Sequence, residues 1–240
     1  MDIISEHPPY PVERPLMYQN WESLTFLHWR LAPEVVRRLL PGGLEPDTYD
    51  GAAWIGLTPF LLTGLRPPGM PALPWISRFP EMNVRTYVRG PDGERGIWFF
   101  SLEADRLAAV VGARLSYRLP YRWAAMHVSR DPKGVTYKSR RHFGTGEADI
   151  AVRVGTAIRP NEHERFLTAR YRLYTRLGGR LAFAQVEHPP WPLHAATLEH
   201  FQQSVIEHSG LPRLTGRPLV HFSPGVHVRV GRPTLVRGIV

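Results

Sequence analysis

In the short stretch FPEMNVRTYV (Phe79–Val88), a glutamate, an asparagine and an arginine occupy three alternate positions. If this stretch is a β-strand, alternate side chains point to opposite faces, so Glu81, Asn83 and Arg85 share one face. A carboxyl group can act as a general acid or base when burial raises its pKa, and a guanidinium binds a carboxylate with two parallel hydrogen bonds. The stretch therefore predicts either the wall of a binding pocket or a structural network between Glu81 and Arg85.

A second candidate stretch is ARLSYRLPYRWAAM (Ala113–Met126), in which Leu119-Pro120 interrupts a predicted strand. The backbone beside a proline is held extended, so the two residues that follow have a defined direction. Tyr121 has an apolar ring and a polar hydroxyl, which suits a pocket wall or a proton donor. Arg122 is a candidate ligand for an anion.

A third stretch, FLTARYRLY (Phe166–Tyr174), brings further polar side chains together. Residues 168, 170, 172 and 174 share one face of a strand, and Arg170 and Tyr174 are also neighbours on a helix. Arg170 and Tyr174 are therefore candidate ligand-binding residues. The alternative interpretation is a strand stabilised by salt bridges.

Most of the chain consists of predicted strands between glycine and proline turns. Two short amphipathic helices are predicted at Ala32–Gly43 and Thr197–Gly210, each with a start signal and a stop signal. The loop Arg66–Arg78 contains four prolines and precedes the first candidate stretch, and a loop of this length is often a lid. This pattern predicts a mainly β protein with an N-terminal arm (1–17) and one antiparallel domain (18–240).

Composition excludes several kinds of site. The 240 residues include no cysteine, which excludes disulfides, thiolate zinc sites and cysteine nucleophiles. The eleven histidines show no compact ligand spacing, so no metal site is expected. Nucleotide-binding glycine loops and the hydrolase and zinc-protease motifs are absent as well, and no cofactor is expected.

Charge and hydropathy suggest where the protein acts. A net charge of +9 is compatible with nucleic acid as a partner, and Lys133–His142 is the densest basic segment. Most of the basic residues are scattered arginines, however, so nucleic-acid binding is the weaker interpretation.

The N-terminus has no apolar signal segment, and no run of apolar residues is long enough to cross a membrane. A cytoplasmic protein is expected, with strand edges that could form a homodimer.

Several segments taken together resemble a known family. FPEMNVRTYV, GIWFFSLEA, ARLSYRLPY, FLTARYRLY and VEHPPWPLHAA, in this order, resemble the YqjF-like bacterial family, and the resemblance covers about Tyr18 to Val230. That family is placed in the acetoacetate decarboxylase-like superfamily. The resemblance implies a cone-shaped, mainly antiparallel β-barrel with a central cavity and a few short helices.

The chain differs from acetoacetate decarboxylase at the catalytic lysine. Acetoacetate decarboxylase forms a Schiff base through a lysine whose pKa is lowered by a cationic neighbour. Tyr121-Arg122 stands at the place of that lysine pair, and a guanidinium cannot form the imine. The two lysines of the chain, Lys133 and Lys138, lie beyond this place. Decarboxylase chemistry is therefore not expected, whereas Glu81 corresponds to a glutamate of the decarboxylase.

The leading functional hypothesis is a barrel cavity that binds a small organic acid or oxo compound. Arg85 would hold the anion, Glu81 would act as acid or base, and Tyr121 would be a wall residue or proton donor. An enzyme of this kind would be a lyase, an isomerase or a hydratase that works without a Schiff base. The alternative is a non-catalytic small-molecule binder or sensor, and a nucleic-acid-associated protein is the third possibility.

Overall fold

The computed structural model of the protein describes residues 4–236. Its strands and α-helices are, in chain order, β1 (Met17–Leu31), α1 (Pro33–Leu39), β2 (Glu45–Pro46), β3 (Ala53–Arg66), β4 (Phe79–Arg89), β5 (Arg95–Ala104), α2 (Leu107–Ser116), β6 (Tyr121–Arg130), β7 (Gly134–Arg141), β8 (Glu147–Ala157), α3 (Glu162–Thr168), β9 (Arg172–Leu177), β10 (Arg180–Glu187), β11 (His194–Gln203), β12 (Leu219–Val230) and β13 (Thr234–Leu235). The predicted mainly β barrel with a few short helices is confirmed.

Nine strands close into a barrel in the order β1, β3, β4, β5, β6, β7, β8, β11, β12 and back to β1. Neighbouring strands are antiparallel except for β5 and β6, which pair in parallel. The hairpin of β9 and β10 connects β5 to β12 and thereby closes a second, smaller ring. We call this the seven-strand ring; it consists of β1, β3, β4, β5, β9, β10 and β12.

Strand β4 separates two apolar cores. Phe79 packs in the core enclosed by the seven-strand ring. Met82 and Val84 point the other way, into a second core that includes side chains of β7, β8 and β12. Both faces of β4 are therefore buried, and the face that carries Glu81 and Arg85 is an interior wall.

The local signals at Ala32–Gly43 predict the helix correctly. Helix α1 begins at Pro33, whose missing N–H costs nothing in the first turn, and Val36 is buried beneath it. The residue after the helix, Leu40, is extended because Pro41 follows it.

The helix predicted at Thr197–Gly210 is wrong. The first half of this segment is the end of β11, and a short 3₁₀-helix follows at Glu207–Ser209. Leu198 and Phe201 contact the same core although they are three residues apart, because a register shift after Leu198 changes the alternation of side chains. A bulged strand thus produced a spacing that is typical of a helix.

Two helices replace segments that were expected to be extended. Helix α2 occupies 107–116, so only Tyr121 and the residues after it continue as a strand. Helix α3 ends at Thr168 and keeps the third candidate stretch from forming one continuous strand. None of the helices within residues 4–236 is long and apolar enough to cross a membrane.

The division into an arm and a domain stays a prediction. Residues 4–16 form no helix or strand. Ile4 and Val12 in this segment are nevertheless buried, and Ile4 packs against Trp54 and Tyr87.

Candidate functional site

A cavity of about 450 Å³ lies inside the seven-strand ring. Its polar lining residues include Thr58, Glu81, Asn83, Arg85, Arg170, Arg172 and His188, and its aromatic ones include Trp21, Phe60, Phe79, Phe99, Tyr117, Tyr121 and Trp191. A mostly apolar cavity with a few convergent polar groups is the usual form of a small-molecule site. Strand β4 supplies Glu81, Asn83 and Arg85 because every second side chain of the strand points into the cavity.

Glu81 is a buried carboxyl group with one neighbouring hydroxyl. It is 4% exposed, and the Tyr121 hydroxyl donates a hydrogen bond to Glu81 Oε2 at 3.0 Å. Burial raises the pKa of Glu81 to about 8; the Tyr121 hydrogen bond lowers it, and the charge of Glu103 raises it further. At neutral pH the carboxyl group is therefore mainly protonated and can donate a proton.

Arg85 is a buried cation that has no carboxylate beside it. Its guanidinium makes no hydrogen bond or ion pair with any residue in the range 4–236, and its Nε atom is buried without a partner. The guanidinium lies 5.3 Å from the ring centre of Phe26 and 5.7 Å from that of Tyr87, which gives partial electrostatic compensation. Gly56 on β3 faces Arg85, and a Cβ there would stand 3.2 Å from Arg85 Cγ.

Two further polar groups in the same part of the cavity have unused hydrogen-bonding capacity. Thr58 of β3 stands opposite Asn83 of β4 in the antiparallel register. Thr58 Oγ1 and Asn83 Oδ1 are both buried without a partner among the described residues. Buried polar atoms normally have a partner, so a group of such atoms around one cavity indicates a place for a polar ligand or ordered water.

Glu81 and Arg85 do not form an ion pair in the described structure. They are four positions apart on β4, which separates their Cα atoms by about 13 Å on an extended strand. The two groups therefore stand at different depths of the cavity.

Arg170 also lines the cavity, but its charge is already compensated. Its Nη1 atom lies 2.6 Å from Oδ2 of the buried Asp47, and its Nε atom donates to the Phe166 carbonyl at 2.9 Å. Asp47 is also paired with Arg89 at 3.0 Å. One atom of Arg170, Nη2, is buried without a partner within residues 4–236.

Two candidate residues lie outside the cavity lining. Tyr174 is buried, and its hydroxyl donates to the Glu94 carbonyl at 3.0 Å and lies 3.2 Å from Arg172 Nη1. Arg122 is exposed on β6 and stands opposite Glu103 in the parallel register. The structure thus brings together Glu81, Asn83, Arg85, Tyr121 and Arg170, and places Tyr174 and Arg122 elsewhere.

Sequence reasoning missed His188 and Trp191, which follow β10 and close one side of the cavity. His188 is buried, and burial lowers its pKa to about 4, although hydrogen bonding to the Pro189 carbonyl opposes this. The imidazole is therefore neutral at physiological pH. The sequence showed the segment HPPWPL only as part of the family resemblance. Its His188 and Trp191 side chains line the cavity because β10 pairs with β12 and closes the seven-strand ring, and this pairing cannot be predicted from the sequence.

Among the described residues, neither a lysine nor a cluster of metal-ligating side chains lines the cavity. Both lysines lie in the described part of the chain, and neither lines the cavity. No group of three or more histidine or carboxylate residues within 4–236 has the geometry of a metal site. In the basic segment, Lys138 pairs with Asp149 at 3.1 Å, and Arg141 donates to Glu103 at 2.9 Å.

Removing the Tyr121 hydroxyl should raise the pKa of Glu81 above its value of about 8. In Tyr121→Phe the carboxylate loses a hydrogen bond worth roughly 1.5 kcal/mol, so the pKa of Glu81 should rise by about one. Carbon-13 NMR of the Glu81 carboxyl group would measure the change. Tyr117→Phe is the matched control, because the Tyr117 hydroxyl donates to the Gly231 carbonyl instead; an equal shift in both variants would contradict the role of Tyr121.

The fold places the chain in a known structural class. Acetoacetate decarboxylase from Legionella pneumophila superposes with a TM-score of 0.62 over 95% of this chain and 92% of its own, at 14% identity. The enduracididine biosynthesis enzyme MppR, in complex with the condensation product of pyruvate and imidazole 4-carboxaldehyde, superposes with a TM-score of 0.62 over 95% of this chain and 92% of its own, at 16% identity. The protein therefore has the acetoacetate decarboxylase-like fold.

Sequence comparison identifies the family. Residues 18–227 match the DUF2071 family, described as "Uncharacterized conserved protein". The "Uncharacterized protein YqjF" of Bacillus subtilis (strain 168) is 37% identical over 217 residues, which cover 87% of each chain. The chain belongs to the DUF2071 family, and the predicted resemblance to YqjF-like proteins is confirmed.

Proposed function

We propose that the cavity binds a small organic acid, in particular an oxo acid, and that Arg85 holds its carboxylate. The observation that carries the proposal is the buried guanidinium of Arg85, which has no carboxylate partner in the described structure. A buried, unpaired charge is costly, and an anionic ligand would remove that cost. A carboxylate can accept two parallel hydrogen bonds from the guanidinium, which also fixes the orientation of the ligand.

Glu81 and Tyr121 are the pair that would move a proton on such a ligand. Protonated Glu81 can give its proton to an oxo oxygen that lies further along the ligand than the carboxylate held by Arg85. The resulting carboxylate can then take a proton from an adjacent carbon, which returns Glu81 to its starting state. This sequence converts a ketone into its enol, which is an isomerisation, and it requires no Schiff base.

The similarity of fold also supports an oxo-acid ligand. The ligand named for MppR is a condensation product of pyruvate, which is an oxo acid. The arginine, the carboxyl group and the tyrosine of the present cavity would supply an anion site and a proton-transfer pair for a ligand of that chemistry.

A second candidate is a non-catalytic binding or sensor protein. It is favoured by the predominantly apolar and aromatic lining of the cavity, in which Glu81 is one of few groups that could transfer a proton. Both candidates predict ligand binding. They differ in Glu81→Gln, which would abolish turnover while sparing binding if the protein is an enzyme.

A thermal-shift experiment tests the binding proposal. Pyruvate should raise the melting temperature by about 5 °C or more at ~100 times its Kd, whereas pyruvamide, which lacks the charge, should not. The response should disappear in Arg85→Met and persist in Arg122→Met, which removes an exposed arginine. Failure of pyruvate and a broader set of small carboxylates to stabilise the wild type would refute the proposal.

A further inference from the structure

The cavity is polar at one end and apolar at the other. In the antiparallel pairing of β3 and β4, Thr58 stands opposite Asn83 and, two positions nearer the start of β4, Phe60 stands opposite Glu81. At the start of β4 itself, Leu62 stands opposite Phe79. The unpartnered polar atoms thus lie toward Arg85, and apolar side chains replace them toward Phe79.

The opening of the cavity lies at the apolar end. The polar lining residues Thr58, Asn83 and Arg85 are at most 5% exposed, whereas Ile76 of the loop before β4 lines the cavity and is 44% exposed. Ala108 and Gly112 of helix α2 also line the cavity and are exposed. Helix α2 and the loop at 67–78 therefore form the mouth.

The distance from the mouth to the anion site exceeds the length of a pyruvate-sized molecule. Phe79 and Arg85 are six positions apart on an extended strand, which corresponds to about 20 Å between their Cα atoms. The cavity volume of about 450 Å³ is likewise in the range of sites for larger ligands. An acid that only reached Arg85 and Asn83 would leave the apolar half empty.

We infer that the ligand is an elongated acid: a carboxylate, or an oxo acid, with an aliphatic or aromatic tail that extends from Arg85 past Glu81 and Tyr121 to the mouth. This inference rests on the proposed function and specifies its ligand class. The carboxylate occupies the buried polar end, and a polar substituent near the middle of the chain would meet Glu81 and Tyr121. The tail packs against Leu62, Phe79 and helix α2, where small side chains leave room for it.

Affinity should therefore increase with the length of the tail. Burial of one methylene group tightens binding about fourfold, so octanoate, with four more methylene groups, should bind roughly 250-fold more tightly than butyrate. Isothermal titration calorimetry of acetate, butyrate, octanoate and hexadecanoate against the wild type and Arg85→Met would measure the series. The Arg85→Met variant should bind none of the four acids tightly.

A substitution at the mouth tests the path of the tail. A Cβ atom on Gly112 would meet no atom within 4 Å, so Gly112→Trp places an indole at the mouth without a backbone clash. This variant should keep the affinity for acetate and butyrate and lose the gain for hexadecanoate, which is long enough to reach the mouth. Val111→Trp is the control, because Val111 lies on the exposed face of the same helix and does not line the cavity.

The outcomes separate this inference from the proposed function. Arg85-dependent binding that is equally tight for all four acids would overturn the inference of a tail and leave the proposed function standing. A gain for hexadecanoate that persists in Gly112→Trp would overturn the assigned path. If none of the acids binds, nor any oxo acid, the proposed function fails and this inference fails with it.

Discussion

Replacing Arg85 by methionine is expected to abolish carboxylate binding while leaving the ligand-free protein as stable as the wild type, or more stable. Removing the buried charged residue that pairs with a ligand weakens the free energy of binding by about 2–5 kcal/mol, so Kd should rise at least ~30-fold. Arg85 has no ion-pair partner in the described structure, so its removal leaves no carboxylate unpaired. Methionine retains most of the apolar stem that packs beside Gly56, and the free energy of unfolding should be unchanged or raised by up to about 2 kcal/mol.

The same substitution at Arg170 should have the opposite effect on stability. Arg170 also lines the cavity, but it pairs with the buried Asp47 at 2.6 Å. Arg170→Met should lower the free energy of unfolding by about 3 kcal/mol, because it removes one partner of a buried ion pair. Urea unfolding of both variants measures this contrast. A loss of several kcal/mol in Arg85→Met as well would indicate that Arg85 is structural, as the alternative interpretation of the sequence proposed.

The stability of the wild type should fall as the pH rises from about 4.5 to about 8, and Glu81→Gln should remove this part of the pH dependence. Glu81 binds its proton more tightly in the folded protein, since burial raises its pKa from 4.5 to about 8. Folding is therefore favoured while the carboxyl group is protonated, and that advantage is lost as the pH rises through the folded pKa. The loss from this single group amounts to roughly 4 kcal/mol.

Comparison of the two pH profiles isolates Glu81 from other titrating groups. Burial lowers the pKa of His28 and His188, so these residues reduce stability at acid pH, but they do so equally in the wild type and in Glu81→Gln. The difference in unfolding free energy between the two proteins should grow with pH up to about 8. Tyr121→Phe retains the carboxyl group and should keep the decrease. Parallel profiles of the wild type and Glu81→Gln would mean that Glu81 is ionised in the folded protein.

The interior wall of the cavity could be predicted because its signal is local. The side-chain period of a strand is two, so the spacing of Glu81, Asn83 and Arg85 alone places them on one face. The period does not show which face of β4 points into the cavity. Both faces of β4 are buried, and the cavity lies on the Glu81 face only because the seven-strand ring closes on that side. Thr58 escaped notice because its position opposite Asn83 depends on the register between two strands.

The errors have equally specific causes. A bulge after Leu198 imitated helical spacing in β11. Helix α3 could have been found from its sequence, since Asn161 and Glu164 form a capping box, with the Asn161 side chain accepting from the Glu164 N–H at 3.0 Å. Helix α2 offers no comparable signal, because Arg106 precedes it without a side-chain cap. Tyr174 was grouped with Arg170 because the stretch was treated as one continuous element. In the structure α3 ends at Thr168 and β9 begins at Arg172, so Arg170 lies between the two elements.

A crystal structure of the protein soaked with pyruvate would test the proposed binding site most directly. We expect the carboxylate to accept two hydrogen bonds from the Arg85 guanidinium, with the oxo oxygen directed toward Asn83 and Thr58. A cavity in which Arg85 remains without an anion at saturating pyruvate, or a pyruvate bound elsewhere with its carboxylate on another cation, would contradict the assignment of Arg85 as the anion site.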